Sequence, residues 1–515
     1  MERECFEDEE VAGILNRYFV SVKADREERP DIDAIYMAAC QAYTGQGGWP
    51  LTILMTPEQQ PFFAGSYFPK NARYQMPGLV DILLIVADKW AAKRKELLLA
   101  GEEITSLLRA SVGKAAGAEP SRDFLMQGVE SLRKRFDPVH GGFDGAPKFP
   151  APHNLMLLLR YYAAAGDKQC LSMVETTLTQ MYRGGIFDHI GSGFSRYSTD
   201  EKWLVPHFEK MLYDNALLVM AYLEAYQVTG RTLYRQVAEK CMRYVLRELT
   251  GPEGGFYSAQ DADSDGTEGK YYAFIPNELL HLLGEADGTR LNRWMGITAA
   301  GNFEGKSIPN LLKNEAFEMA EPDLDALCEK VYEYRRNRTA LHKDDKYLTS
   351  WNALMMAVFA KAYKILGDEA YLQAAQDADR FIQEKLTDTE GNLFVRYRQG
   401  ETAHAGMLDD YAFCAWAMLE MYDATFQPAY LERAAGRAGG THIFSHGNDG
   451  GAVPVQGNRM CGARPRGQEE DSRGCGCPVC TGNHAACTGG NRRLSAEKRQ
   501  DDLLCLPKQG LRGTI

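Results

Sequence analysis

The chain has 515 residues, with 70 acidic side chains against 58 basic ones and a formal net charge of −12. That balance disfavours a nucleic acid or an anionic membrane as partner, and the length exceeds what one hydrophobic core usually fills, so two domains are expected. The most apolar stretch, Leu79–Trp90, is too short to span a bilayer and carries Asp81 and Asp88, while the acidic start MERECFEDEE is the opposite of a signal peptide, so a cytoplasmic protein with reduced thiols is expected.

The first hundred residues alternate strand-like and helix-like segments. Tyr18–Lys23 (YFVSVK) and Leu51–Met55 (LTILM) read as buried strands, Pro61–Phe68 as a third, around a helical stretch at Asp33–Ala42. Alternation of this kind predicts a small α/β layer. Trp49-Pro50 stands just before the strand at Leu51, where a cis bond would fit. The charged run Asp25-Arg26-Glu27-Glu28-Arg29 reads as a solvated turn after the first strand, with packing against a helical domain as the alternative.

Beyond residue 120 the period changes to that of helices. Amphipathic stretches run over Asn154–Ala165, Leu171–Tyr182, Phe208–Thr229, Leu233–Leu249, Leu324–Asn337, Ser350–Leu366, Tyr371–Leu386 and Asp410–Phe426. Between them lie Gly-aromatic loops beginning at Gly141, Gly184, Gly254 and Gly391. Helix pairs joined by such loops predict an array of helical hairpins whose long loops gather at one mouth.

Asp188–Asn215 is the densest polar stretch, with two His, three Asp, two Glu, an Arg, a Trp and two Tyr. Pro206 suits a helix start, which predicts a helix opening at His207 with His207, Lys210 and Asp214 on one stripe. A solvated face and a core histidine are the competing reading. Asp261-Ala-Asp263-Ser-Asp265-Gly266 opens like a calcium loop, but position 12 falls on Tyr272 where a bidentate Glu belongs, so no EF-hand is expected. Asp261 and Asp263 remain as candidate polar contacts, and Asp265 reads equally as a turn residue. Asp344-Asp345 and Asp409-Asp410 precede the helices that carry Trp351, Asn352 and Tyr411. Each pair can also cap its helix. Trp203, Trp351 and Tyr411 offer stacking platforms, in competition with core packing.

The motifs DREERPDIDAIYM, TGQGGWPLTILMTP, HIGSGFSRYSTDEKWLVPHFEKMLYDNALL, GGFYSAQDADSDG, FEGKSI, LTSWNALM and LDDYAFCAWAMLEMYDATFQPAYL resemble the YyaL-type, spermatogenesis-associated thioredoxin-domain family from about Met1 to about Arg433. The resemblance implies a mainly α protein, an (α/α)6 toroid similar to N-acylglucosamine 2-epimerases and six-hairpin glycosidases, preceded by a partial α/β thioredoxin-like domain. The expected division is residues 1–110 for the thioredoxin-like domain and 124–435 for an incomplete toroid, with 436–515 as a non-native or disordered tail.

Two departures from the family pattern stand out. The family carries a C-x-x-C-H-x-M stretch just before the residues matching Glu2-Arg3-Glu4, so Met1 corresponds to its final methionine and the redox pair is absent; Cys5 and Cys40 read as small buried hydrophobes. From Gly436 the chain turns rich in Gly, Arg and Cys, which reads as a shifted frame near Ala435. The zinc-like set Cys475, Cys477, Cys480, His484 and Cys487 lacks a second C-x-x-C, so no metal and no cofactor are expected.

The leading functional reading is a carbohydrate-directed toroid working by proton transfer. As an epimerase or isomerase it would use His189 and His207 as paired acid and base, with Arg196 polarising a carbonyl oxygen. As a hydrolase it would flank a glycosidic bond with Asp214 and Asp410. Tyr197, Asp200, Trp203, Lys210, Asn215, Asp261, Asp263, Asp345, Trp351, Asn352 and Tyr411 are the expected substrate contacts, with Arg196. The implied partner is a small sugar, with a protein partner left open. The alternative is a protein-thiol redox or partner-binding module, inactive for redox in this chain.

Overall fold

A computed structural model describes residues 1–112, 121–319, 323–439 and 506–507. The tail expected beyond residue 436, with its Cys/His set, falls outside the described residues, except that the helix Pro428–Gly439 continues across Gly436. Two compact units emerge among the described residues: Met1–Lys23 with Tyr36–Ser111, and Ala24–Ile35 with the chain from Val112 as far as the helix ending at Gly439.

In the first unit Thr52–Met55 and Pro61–Gly65 form an antiparallel pair, and the expected strand at Tyr18–Lys23 shrinks to Phe19–Val20. Helix Glu9–Tyr18 is capped by Asp8, whose carboxylate accepts from the N–H groups of Glu10 and Val11 at 3.1 Å. Its core joins Cys5, Val11, Phe19, Leu54, Phe62, Leu83 and Trp90. The Trp49–Pro50 bond is cis. Cys5 donates to the Phe68 carbonyl at 3.6 Å, and burial raises its thiol pKa. Cys40 is buried as well. Cys5 is therefore not an activated thiolate.

The second unit is built from helix pairs. Pro152–Ala165 is followed by Lys168–Arg183, Leu212–Thr229 by Thr232–Tyr244, Thr349–Leu366 by Glu369–Lys385, and Leu408–Thr425 by Pro428–Gly439. The reversals are short because Gly166, Gly230 and Gly367 sit left-handed after the first helix of a pair. Asp167 and Asp368 then cap the helix that follows. The first helices pack on one another in chain order, and each packs on its own partner. Composition explains which layer is inner: Leu212–Thr229 is buried nearly all round, whereas Thr232–Tyr244 buries one face and wets the other. Glu224 ties three inner helices together, accepting from Arg160 and Lys361 at 2.7 Å each.

The described residues thus supply four hairpins of an (α/α)6 toroid, preceded by a thioredoxin-like domain. Between the second and third hairpins, Pro276–Leu283, Glu285–Trp294 and Leu324–Arg338 form a satellite cluster around Phe274, Leu279, Leu291 and Val331. No described helix is long and apolar enough to cross a membrane.

Candidate functional site

All four inner helices begin at the same end, where the long loops lie. Each loop closes on itself by one β-bridge: Phe136 with Phe143, Phe187 with Phe194, Thr250 with Phe256, and Thr387 with Leu393. In three of the four, the inner helix then grips its loop through its fourth residue. Asn215 accepts from the Phe194 N–H at 2.8 Å and donates to the Phe194 carbonyl at 3.0 Å. Asn352 does the same to Phe256 at 2.7 and 3.0 Å, and the Tyr411 hydroxyl accepts from the Leu393 N–H at 3.1 Å. The expected substrate contacts Asn215, Asn352 and Tyr411 are therefore loop clamps. Their hydrogen-bonding capacity serves buried backbone that would otherwise be unpaired.

Other expected site residues also hold the scaffold. Lys210 is buried against Asp188 at 2.8 Å and the Ser192 carbonyl at 2.7 Å, and Asp188 is further held by Arg335 at 2.6 and 2.9 Å. His189 meets the Gly184 carbonyl at 3.1 Å beside Tyr182 and Phe187. Burial brings its pKa down to about 4, so it is neutral and occupied rather than poised as one half of a histidine pair. Trp203 is fully buried and donates to the His140 carbonyl at 2.9 Å. Asp200 accepts from the N–H groups of Lys202, Leu204 and Val205, shaping its own turn. Asp410 accepts from the N–H groups of Ser350 at 3.0 Å and Met407 at 2.8 Å, so both oxygens are spent on capping rather than on a glycosidic bond. Asp345 pairs with Arg398 at 2.6 Å, Asp261 accepts from the Asp263 N–H, and Asp263 lies in the two-residue strand Asp263–Ser264.

The helix expected from His207 begins instead at Leu212. Pro206–His207 is a strand paired with Tyr197–Ser198, and Lys210–Met211 is a strand paired with Ala259–Gln260, which also takes Lys343–Asp344. Residues two apart on extended chain share a face, so His207 and Glu209 point the same way. The helical reading hid Glu209 for that reason. His207 Nδ1 lies 2.6 Å from Glu268 Oε1 and its Nε2 lies 3.8 Å from Glu209 Oε2, with the ring stacked on Tyr197 at 5.1 Å. Glu268 reaches this position from the hairpin pairing Asp263–Ser264 with Thr267–Glu268, turned by Asp265-Gly266. Burial opposes the imidazolium, but the hydrogen bond to Glu268 and the charges of Glu268 and Glu209 outweigh it, and the His207 pKa is raised.

Glu209 also binds Arg196 at 2.9 Å. Next along this chain of charges is Asp214, 9% exposed, whose Oδ2 has no hydrogen-bond partner among the described residues. Burial pushes its pKa up to about 7, against the opposing pull of Arg196, Tyr213 and Arg26 and with a further push from Glu209. The Tyr213 ring packs on half-buried Trp351 at 4.7 Å. Arg196, Tyr197, His207, Asp214 and Trp351 thus remain from the expected set, joined by Glu209, Glu268, Tyr213 and Arg26.

Arg26 comes from the run read as a solvated turn. Instead Ala24–Ile35 belongs to the helical unit, with Glu27 bound to Lys346 at 2.9 Å and Glu28 to Arg396 at 3.1 Å.

The family model "Thioredox_DsbH: Protein of unknown function, DUF255" matches residues 1–109. Spermatogenesis-associated protein 20 of Homo sapiens is 35% identical over 485 residues, covering 84% of this chain and 62% of that protein. The likeness to spermatogenesis-associated protein 20 thus runs through most of this chain. An uncharacterized relative from Caenorhabditis elegans is 33% identical over 481 residues, covering 84% of this chain and 65% of its own. The chain therefore spans less than two thirds of the length of these relatives. Among solved structures, a sugar epimerase from a ruminal bacterium overlaps with a TM-score of 0.31 at 14% identity, covering 62% of this chain and 86% of that one. A family 76 glycoside hydrolase from a bovine Bacteroides thetaiotaomicron strain overlaps with a TM-score of 0.36 at 13% identity, covering 79% and 67%.

Proposed function

We propose that the toroid mouth is an acid–base site for a small, uncharged carbohydrate carrying a carbonyl group, with Asp214 moving the proton. The observation that carries this reading is the Asp214 carboxyl. It is buried, one oxygen lacks a partner among the described residues, and its pKa near 7 leaves it able both to take and to give a proton at neutral pH.

In the proposed step, ionised Asp214 accepts the hydrogen on the carbon next to the carbonyl as a proton. The C–H electron pair becomes the new C=C bond, and the carbonyl π pair moves to oxygen, where the Arg196 guanidinium stabilises the negative charge. Return of a proton to the same carbon on the opposite face, with the carbonyl re-formed, gives an epimer. Return to the former carbonyl carbon, with the adjacent hydroxyl passing its proton to the enolate oxygen and becoming the new carbonyl, gives an isomer. The Tyr213–Trp351 pair supplies the apolar surface that a sugar ring needs.

The reading is tested by incubating the protein with a panel of free aldoses and ketoses in deuterated water and following loss of the proton signal next to the carbonyl by NMR. Exchange with at least one sugar is expected, with the rate rising as pH passes through about 7, and Asp214→Asn should abolish it. Absence of exchange with every sugar, or equal exchange in the variant, rejects the reading.

A further inference from the structure

We propose that Phe149, Tyr197 and His207 form an aromatic row that binds a second sugar ring beside the acid–base site, so that the mouth takes a reducing oligosaccharide rather than a single sugar. The inference rests on the mouth being a carbohydrate site and adds the class of carbohydrate it accepts.

The Tyr197 ring stacks on His207 with centroids 5.1 Å apart, and Phe149 follows on Tyr197 at 4.9 Å. The pairing of Tyr197–Ser198 with Pro206–His207 sets Tyr197 directly opposite His207, which puts the inner two rings on one face of the ribbon. Phe149 arrives from another loop. Lys148, fully buried, donates to Asp137 at 2.6 Å and to the carbonyls of Gly141 and Glu201 at 2.9 and 3.0 Å. Its backbone exchanges two hydrogen bonds with that of Ser198, at 2.8 and 2.9 Å. The residue before Phe149 is thereby locked to the residue after Tyr197, and the Phe149 ring is held at the end of the row with a relative exposure of 50%.

An exposed phenylalanine alone means little, since single apolar side chains are common on surfaces. Phe149 differs because a buried cation and a two-way backbone bridge hold it in line with two other flat rings. Little entropy then remains to be lost when a ligand covers it. A sugar ring presents a face of C–H bonds and a rim of hydroxyls, and the row matches both. Its flat faces meet the C–H bonds. Its edge carries two carboxylates, Glu268 at 2.6 Å from His207 Nδ1 and Glu209 at 3.8 Å from Nε2. The Glu268 side chain is 45% exposed and can accept from a hydroxyl. The row also adjoins the reacting end of the site. Tyr197 follows Arg196 in the chain, and Glu209 binds Arg196 at 2.9 Å. The rings thus lead from the guanidinium that would hold the carbonyl oxygen to Phe149, the most exposed of the three. In this arrangement the reducing ring lies at Arg196 and Asp214, and the next ring stacks on Phe149.

The test is a comparison of affinities by titration calorimetry on the whole chain, using reducing disaccharides of glucose, galactose and mannose in their several linkages against the three monosaccharides. At least one disaccharide should bind more tightly than its own monosaccharide by about three- to tenfold, the range expected of one aromatic contact. Phe149→Ala and Phe149→Leu, which remove the flat face, should cancel that preference, and Phe149→Tyr should keep it. Equal affinity for every disaccharide and its monosaccharide overturns the proposal, as does a preference that survives in both the Ala and the Leu variant. Loss of folding in both, read from their melting temperatures, also overturns it and makes Phe149 a structural brace. A preference that disappears with the Phe149 ring, in a protein that exchanges no sugar proton, leaves this inference standing while the proposed activity fails. Proton exchange with monosaccharides and no preference for any disaccharide does the reverse.

Discussion

Asn215 holds Phe194 by both edges of its peptide group, accepting from the N–H at 2.8 Å and donating to the carbonyl at 3.0 Å. Asn352 repeats this grip on Phe256 one hairpin further on. Replacing either Asn with Ala strands a buried donor and a buried acceptor, each worth about 1–3 kcal/mol. Asn215→Ala and Asn352→Ala should therefore each lower stability by about 2–4 kcal/mol in chemical denaturation. A loss within about 0.5 kcal/mol, as expected of a surface site, would return these residues to the list of substrate contacts.

Asp188 and Lys210 should differ sharply on substitution. Asp188→Asn leaves Arg335 and Lys210 buried without a counter-charge, a defect of about 3–5 kcal/mol. Lys210→Met leaves the Asp188–Arg335 pair intact and puts a side chain of similar length in its place, so its cost should be well below that of Asp188→Asn. Melting temperatures of the two variants decide the order. The reverse order would show that Lys210, not Asp188, is the centre of the cluster.

The stability contribution of Asp214 runs opposite to that of most carboxylates. Its folded pKa of about 7 lies above the unfolded value of about 3.9, so the native state prefers the proton. The contribution is fully present below about pH 4 and is lost as pH rises through about 7. Asp214→Asn, which keeps the shape without the charge, should gain on the wild type across that window, by up to about 4 kcal/mol. Stability curves of the two proteins that stay parallel from pH 4 to pH 8 would contradict the burial of Asp214.

His207 titrates in the usual sense for a paired histidine. Its folded pKa is raised, so its stabilising effect is present below the unfolded value of about 6.5 and is lost as pH climbs through the folded one. Glu268→Gln removes the 2.6 Å partner and should lower the His207 pKa measured by proton NMR of the ring. If the pKa does not move, Glu209 rather than Glu268 holds the charge.

The helical pattern was legible because it depends on local periodicity. Asn154–Ala165, Ser350–Leu366 and Asp410–Phe426 match the observed helices to within about two residues at each end. The site was read less well. Proline at position 206 suits a helix start and a strand equally, and only the pairing of Pro206–His207 with Tyr197–Ser198 chose the strand. With that choice the face of every residue from His207 to Met211 changed, bringing Glu209 to the site and taking Lys210 away from it.

The sequence by itself determined the resemblance to a known family and the helical hairpins with the Gly-aromatic loops between them, because each depends on chemistry within a few neighbouring positions. Only the tertiary structure separated Asn215, expected as a substrate contact, and His189, expected as an acid–base group, which both bond to backbone, from Asp214, whose pKa reflects burial supplied by distant segments. It also moved Asp25–Arg29 from a solvated turn to the toroid, since Lys346 and Arg396 lie more than three hundred residues away along the chain. Desolvation and charge act through space, and nothing in the order of residues records which groups will share it.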